Sequence, residues 1–398
     1  TGASNVAVGY VALNANTTGA DNVAVGTGAL DANTTGPRNT GIGNSALGAN
    51  TTGSSNVAVG FKALEANTTG FENVIVGAYA ADSNTTGNYN VVLGWSALKD
   101  NTEGHSNVAI GTNALDANTT GDYSVAVGRG ALGANTTAGY NTAVGTSALG
   151  ANTTATRQVA LGYNALVAAT TGAEQTAIGY ATLEAVTTGE TNTAVGSHAL
   201  HTVVTGNRNT AVGGYSLDVC TGNDNTAIGV SSGGALTSGS ENTCLGRSAG
   251  ANITSGDENI CIGYDAQTSS ATVDGECVLG SSDIGTLRCN TQTISALSDQ
   301  RDKTEIIDLP IGIDFINQLK PRKFKWASRD GNRKDGTYEA GFVAQELQNT
   351  ESLNSVDYLH LVLAENPDRL EASYGKLVPV LVKAIQELSA KVAALEAA

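Results

Sequence analysis

From residue 4 onward the chain repeats one short pattern of apolar and polar positions. It reads "SNVAVG" at 4–9, "DNVAVG" at 21–26 and "RNTGIG" at 38–43. The closing glycines fall at Gly9, Gly26, Gly43 and onward in steps of 17 to Gly213, then, after one step of 16, at Gly229, Gly246, Gly263 and Gly280. A short period held over seventeen units marks a solenoid, in which each unit is one coil stacked on the last. A large aliphatic residue precedes each glycine, a small one (usually alanine) stands two before, and Val or Thr stands three before in nearly every unit. Alternation of period 2 with β-branched residues predicts one short strand per coil. Its aliphatic face is expected to fill the coil, and its alanine face to lie bare, small enough for another backbone to come close.

The second half of each unit reads "ALxANTTG", as at 12–19 and 29–36. Leu13, Leu30, Leu47 and Leu64 supply a second inward anchor, and Asn-Thr-Thr-Gly supplies turn chemistry. Coils stacked about 4.8 Å apart make a rod of roughly 80 Å and bring equivalent side chains into columns. Asn5, Asn22, Asn39 and Asn56 then form an amide ladder, and Asn16 to Asn152 a second one that gives way to Ala169, Val186, Val203 and Cys220. Asn-Thr-Thr also matches a glycosylation acceptor, for which a turn is the plainer reading. A bare alanine face on every coil predicts a homotrimer, or at least an oligomer, with the small faces meeting near its axis.

After Gly280 the period ends and the composition shifts, with four of the five prolines and Trp326 beyond residue 297. Helical spacing over 312–319, a strand-like "RKFKW" at 322–326 and a mixed "AGFVAQEL" at 340–347 predict a small α/β domain. In the tail, Val378, Leu381, Ile385, Leu388, Val392 and Leu395 alternate spacings of 3 and 4, the a and d positions of a coiled coil. Pro379 fits the first turn of that helix, whose alternative role is to pack on its own domain. The expected class is mainly β: a parallel β-solenoid or β-roll shaft over 1–280, a connector over 281–297, the small α/β domain over 298–376 and a coiled-coil helix over 377–398.

Charge and side-chain inventory narrow the chemistry. Residues 298–398 carry 13 basic and 16 acidic side chains, which leaves 8 and 21, a net of −13, on the shaft. An acidic shaft suits neither nucleic acid nor an anionic membrane surface, and no apolar run approaches the length of a bilayer span. Cys220, Cys244, Cys261, Cys277 and Cys289 form no C-x-x-C pair, and the four histidines are scattered, so neither metal nor cofactor is expected. Cys244 and Cys261, in the small-residue column of neighbouring coils, read as buried thiols in place of alanine. The absence of methionine, position 1 included, is expected of a fragment or processed chain whose own start lies upstream.

The repeats resemble the head repeats of trimeric autotransporter adhesins and repeats of phage tail fibres. "SDQRDKTEI" (298–306), "GIDFINQLKPRKFKW" (312–326), "EAGFVAQELQ" (339–348) and the helical tail resemble the C-terminal intramolecular chaperone of phage endosialidases and tail fibres, a self-cleaving serine–lysine peptidase family. The resemblance implies that Ser298 is the nucleophile, Lys303 its general base, Leu297–Ser298 the cleaved bond, and Asp299 and Arg301 orienting residues. A serine hydroxyl needs a base, and lysine serves only when burial disfavours its charge. An offset of five suits neither side chain sharing a helical face, so Ser298 is expected ahead of a helix and Lys303 inside its first turns. On "SDxRxK" alone the plainer reading is a helix cap beside a solvated lysine.

Together these readings describe a single-turnover autopeptidase attached to a phage tail-fibre shaft. Its expected partners are two further copies, a host surface glycan or protein, and an upstream tail or baseplate protein. Its expected place is the virion, with the chaperone domain released in the host cytoplasm. A bacterial surface adhesin is the alternative. A glycan-degrading spike needs paired carboxylates in a catalytic domain, and the repeats show no such insertion. Phe61, Phe71, Tyr89 and Trp95 are exposed-aromatic candidates for receptor contact.

Overall fold

The computed structural model describes residues 2–284, 298–327, 336–364 and 370–398. It divides into two units, Thr1–Leu279 and Gly280–Ala398. In the first, seventeen three-residue strands run from β1 (Val6–Val8) to β17 (Cys277–Leu279), one per coil, as a single parallel sheet. The register follows the repeat: Ala7 pairs with Ala24, and across the one short step Thr210 pairs with Thr226. The expected parallel β-solenoid is what the repeats build.

The coil's inside and outside are reversed from the expectation for the strand. The middle strand residue points inward, and Ala24, Ala58 and Ala109 are fully buried. The aliphatic residue before each glycine faces out, with Leu93 51% and Leu245 43% exposed. The reason is the width of the coil. Leu30, Leu47 and Leu64 of the second half-turn already reach fully into the interior. Two amide ladders occupy the rest, which leaves most strands room for little more than a methyl group; Ile75 goes inward in the coil where Ala81 stands in the leucine's place, and Val92 follows it in the next. A close-packed interior fills itself from one side or the other, not both. The alanine faces therefore do not meet a neighbouring copy.

Both ladders form. Asn39 N–H donates to Asn22 Oδ1 at 2.9 Å, while Asn22 Nδ2 donates to the Gly36 carbonyl at 3.0 Å. In the second ladder Asn50 Nδ2 donates to Asn33 Oδ1 at 2.8 Å and to the Gly53 carbonyl at 3.0 Å. Buried amides satisfied on both sides stabilise the stack, because leaving one unmade costs about 1–3 kcal/mol. Asn33 and the column mates that follow it to Asn152 are thereby buried turn and ladder residues, with Asn16 at the end of the stack half-buried. The first threonine of each turn joins in, as Thr34 Oγ1 donates to the Thr51 carbonyl at 3.0 Å. Ala169, Val186, Val203 and Cys220 continue the second column as buried apolar residues, and burial pushes the Cys220 thiol up to about 11. A third ladder lies nearer the surface: Glu190 N–H donates to Asn207 Oδ1 at 2.8 Å and Ser240 N–H to Asp257 Oδ1 at 2.7 Å.

The repeated glycine has a backbone reason. Gly162 has φ +144°, and a Cβ there would lie 2.1 Å from the Gly179 carbonyl oxygen of the next coil. Any side chain at this corner both strains the backbone and collides with the neighbouring coil.

The second unit packs Phe315, Leu347, Val356, Leu359, Leu361, Leu377 and Val380 into its own core. Helix α1 (Ile313–Ile316), the antiparallel pair β18 (Arg322–Lys325) and β19 (Tyr338–Gly341), helix α2 (Ala344–Asn354), the pair β20 (Val362–Leu363) and β21 (Glu371–Ala372), and helix α3 (Val378–Glu396) follow in order. Strand, turn and helix fall where "RKFKW" and "AGFVAQEL" place them. Glu387 of α3 fixes α1, its Oε2 accepting the Ile313 N–H at 2.9 Å. No helix among the described residues is long and apolar enough to cross a membrane.

Candidate active site

Ser298 stands just ahead of a single 3-10 turn, Gln300–Asp302. Asp299 caps that turn by accepting the Arg301 N–H at 2.9 Å, and its carboxylate pairs with the Arg301 guanidinium at 2.6 Å. The guanidinium holds the Asp299 carboxyl below its ordinary value. Asp299 thus takes the capping role, and Ser298 is left for other chemistry.

Lys303 is not inside a helix, contrary to the expectation from spacing. It follows the turn with extended backbone, φ −128° and ψ 137°. One tight turn of three residues reverses the chain far enough for the Lys303 Nζ to donate a hydrogen bond to Ser298 Oγ. A longer helix would carry the lysine round to another face. The structure therefore brings together the two residues at an offset that neither helix nor strand supports. Leu297, the other side of the expected cleaved bond, lies outside the described residues.

Ser298, Asp299, Arg301 and Lys303 are all exposed, and Ile306 and Ile307 just beyond are large aliphatics in water, 62% and 81% exposed. The serine–lysine pair has the geometry for a proton transfer, and it stands in water. What the described part of this chain lacks is a cover over the pair. The two isoleucines show that the same arm carries unpartnered apolar surface. Sequence reading passed over them because two adjacent apolar residues make no period.

Helix α3 carries two distinct faces. Val380 and Ala384 are buried against their own unit. Val378, Leu381, Ile385, Leu388, Val392 and Leu395, the six heptad positions, are all exposed. The helix does pack on its own domain, but through a different stripe from the heptad one. Among the described residues, no group of three or more His, Cys, Asp or Glu side chains is placed to hold a metal ion. Tyr89 and Trp95 are exposed, as is Phe61, whose ring meets Tyr79 edge-on at 5.2 Å.

The comparisons with known proteins bear on this second unit. No curated protein and no solved structure matches the chain. Residues 298–355 match the model of a peptidase family described as chaperone of endosialidase, and the match begins at Ser298 itself. A family so described implies self-cleavage and a folding role for this segment, attached to a fibre-like β-solenoid.

Proposed function

We propose that the chain is a homotrimeric phage tail-fibre shaft that serves host attachment. Its C-terminal unit aligns and assembles the copies, then releases itself by cutting Leu297–Ser298. The observation that carries this reading is the hydrogen bond between Lys303 and Ser298 at the first residue of the family match. Near-identical coils can pair one repeat out of register at little local cost, so a separate device that fixes register has a purpose. Removing that device afterwards leaves the shaft without a route back, which makes its stability kinetic.

The chemistry follows from the pair. Neutral Lys303 takes the Ser298 hydroxyl proton as Oγ adds to the Leu297 carbonyl carbon. The carbon–nitrogen bond breaks as the same lysine returns the proton to the departing amine, leaving an ester on Ser298 Oγ. Water then hydrolyses the ester, giving a Leu297 carboxylate and a free Ser298 hydroxyl and amine. Lysine can begin this cycle only once water is excluded from it, so the cut comes after copies assemble and cover the arm. The virion is where the finished shaft resides, and the released unit stays behind in the host cytoplasm.

Intact mass spectrometry of the recombinant chain, beside Ser298→Ala and Lys303→Ala, tests this directly. The parent is expected to split into two pieces with a new N-terminus at Ser298. Both variants are expected to remain whole, with cleavage slowed by at least about 100-fold. A parent that stays uncut while correctly oligomeric would leave residues 298–398 as a permanent cap.

A further inference from the structure

The seventeen coils are seventeen trials of the same position, and they answer alike at one outward-facing column. The residue before each glycine is Val, Ile or Leu in all seventeen: Val8, Val25, Ile42 and so on to Leu279. None of these residues is buried, and ten of them are exposed hydrophobics, from Leu161 at 37% to Val8 at 58%. The column two residues earlier in the strand is also turned outward and uncharged: Val, Thr or Ile in every coil until Cys277. Other outward columns vary freely. The position five before the glycine, for example, holds Ser4, Asp21, Arg38, Glu72, Tyr89 and Thr191. A strand facing water tolerates Thr, Lys or Ser in such a place. Seventeen aliphatic residues without one polar substitute need a reason outside the coil.

We infer that this aliphatic band is the face through which shafts of identical copies pack, parallel and in register. The inference deepens the proposed homotrimer by naming its shaft interface, and it rests on that reading. Two columns over seventeen coils expose on the order of 2,000 Å² per copy, well beyond the largest patch of an ordinary monomer and beyond the roughly 800 Å² per partner of a stable interface. The pitch selects the occupant. An unbroken ridge that repeats once per coil along the whole sheet is matched in length and spacing by another solenoid of the same rise, and a second copy is that solenoid. Copies arranged around a common axis bring each ridge residue beside its own counterpart. The band also gives the released shafts a reason to stay together once the C-terminal unit has gone.

The test uses the full chain with Cys277 and Cys289 changed to serine. Ile178→Cys is placed on the band, and Thr188→Cys on the exposed turn column away from it. A short bis-maleimide is expected to link Ile178→Cys to itself, converting most of the chain to covalent oligomers, while Thr188→Cys stays at least about tenfold less linked. Separately, Leu161→Lys, Ile178→Lys and Val195→Lys combined are expected to make the shafts come apart, read as particle mass by light scattering. Because these side chains face water in one copy, circular dichroism should stay that of the parent. An assembled oligomer in which Ile178→Cys fails to link, or a triple-lysine shaft that stays associated as the parent shaft does once the C-terminal unit has been cut away, overturns the inference. Cleavage, followed by mass spectrometry in the same samples, reports on the proposed function independently: an uncut chain that links through Ile178→Cys keeps the interface and loses the peptidase.

Discussion

At the scale of single residues, the solenoid depends on positions where no other side chain fits. Gly162 is one of a column of corners with φ near +130° to +148° over most of the coils, each with the next coil's carbonyl where a Cβ would go. Gly162→Ala is therefore expected to destabilise its coil by about 3 kcal/mol or more, from backbone strain and overlap together. Limited proteolysis should read this as a new cut within residues 145–196, absent in the parent. Uncut, equally stable Gly162→Ala would mean the corner relaxes more than its geometry allows. This constraint was legible in the sequence, because a glycine repeated seventeen times announces a backbone requirement. The side of the strand that faces inward was not legible. Period-2 alternation defines two faces but does not label them, and the label depends on how much room Leu30 and the asparagine columns leave.

At the scale of elements, the C-terminal unit combines short pieces whose roles come from their neighbours. Helix α2 buries Glu351, whose Oε1 accepts the Leu361 N–H at 2.7 Å. Burial raises this carboxyl above its ordinary value, partly offset by that hydrogen bond. A carboxyl raised in the folded state holds its proton more tightly there than in the unfolded chain. Its contribution to stability is therefore present in acid and lost as pH climbs from the ordinary carboxylate range through the raised value. Glu351→Gln keeps an acceptor for Leu361 without the charge. In uncleavable full chain, its C-terminal transition is expected to melt at or above the parent's between about pH 6 and pH 8 and to lose part of the parent's pH dependence. A parent and variant whose melting points fall in parallel with rising pH would assign the effect elsewhere. The heptads of α3 were readable because a 3-4 alternation survives any context. The reach of Lys303 to Ser298 was not, since a 3-10 turn of three residues leaves no periodic trace and "SDxRxK" serves equally well as a cap.

At the scale of the whole molecule, two units carry two separate unpartnered apolar surfaces, the solenoid's aliphatic band and the heptad stripe of α3. On the proposed reading each of them meets other copies of the chain. On the proposed reading α3 acts first, so Ile385→Asp with Leu388→Asp should leave the C-terminal unit folded, both side chains being exposed in the single copy. The same change is expected to lower the yield of soluble oligomeric shaft by about tenfold, measured by size exclusion with light scattering. Equal yields with Ile385 and Leu388 both charged would move the assembly role away from α3. The solenoid, its period, its ladders and the change of domain near residue 280 could all be read from the order of residues, because repetition and spacing are properties of the chain alone; Ser298 and Lys303 were pointed to by family resemblance, not by spacing. Folding alone settles that alanine goes in and valine out, that Lys303 meets Ser298 across one turn, and that the pair stands open to water. Each of those depends on the volume left by other parts of the fold, and no stretch of sequence records that volume.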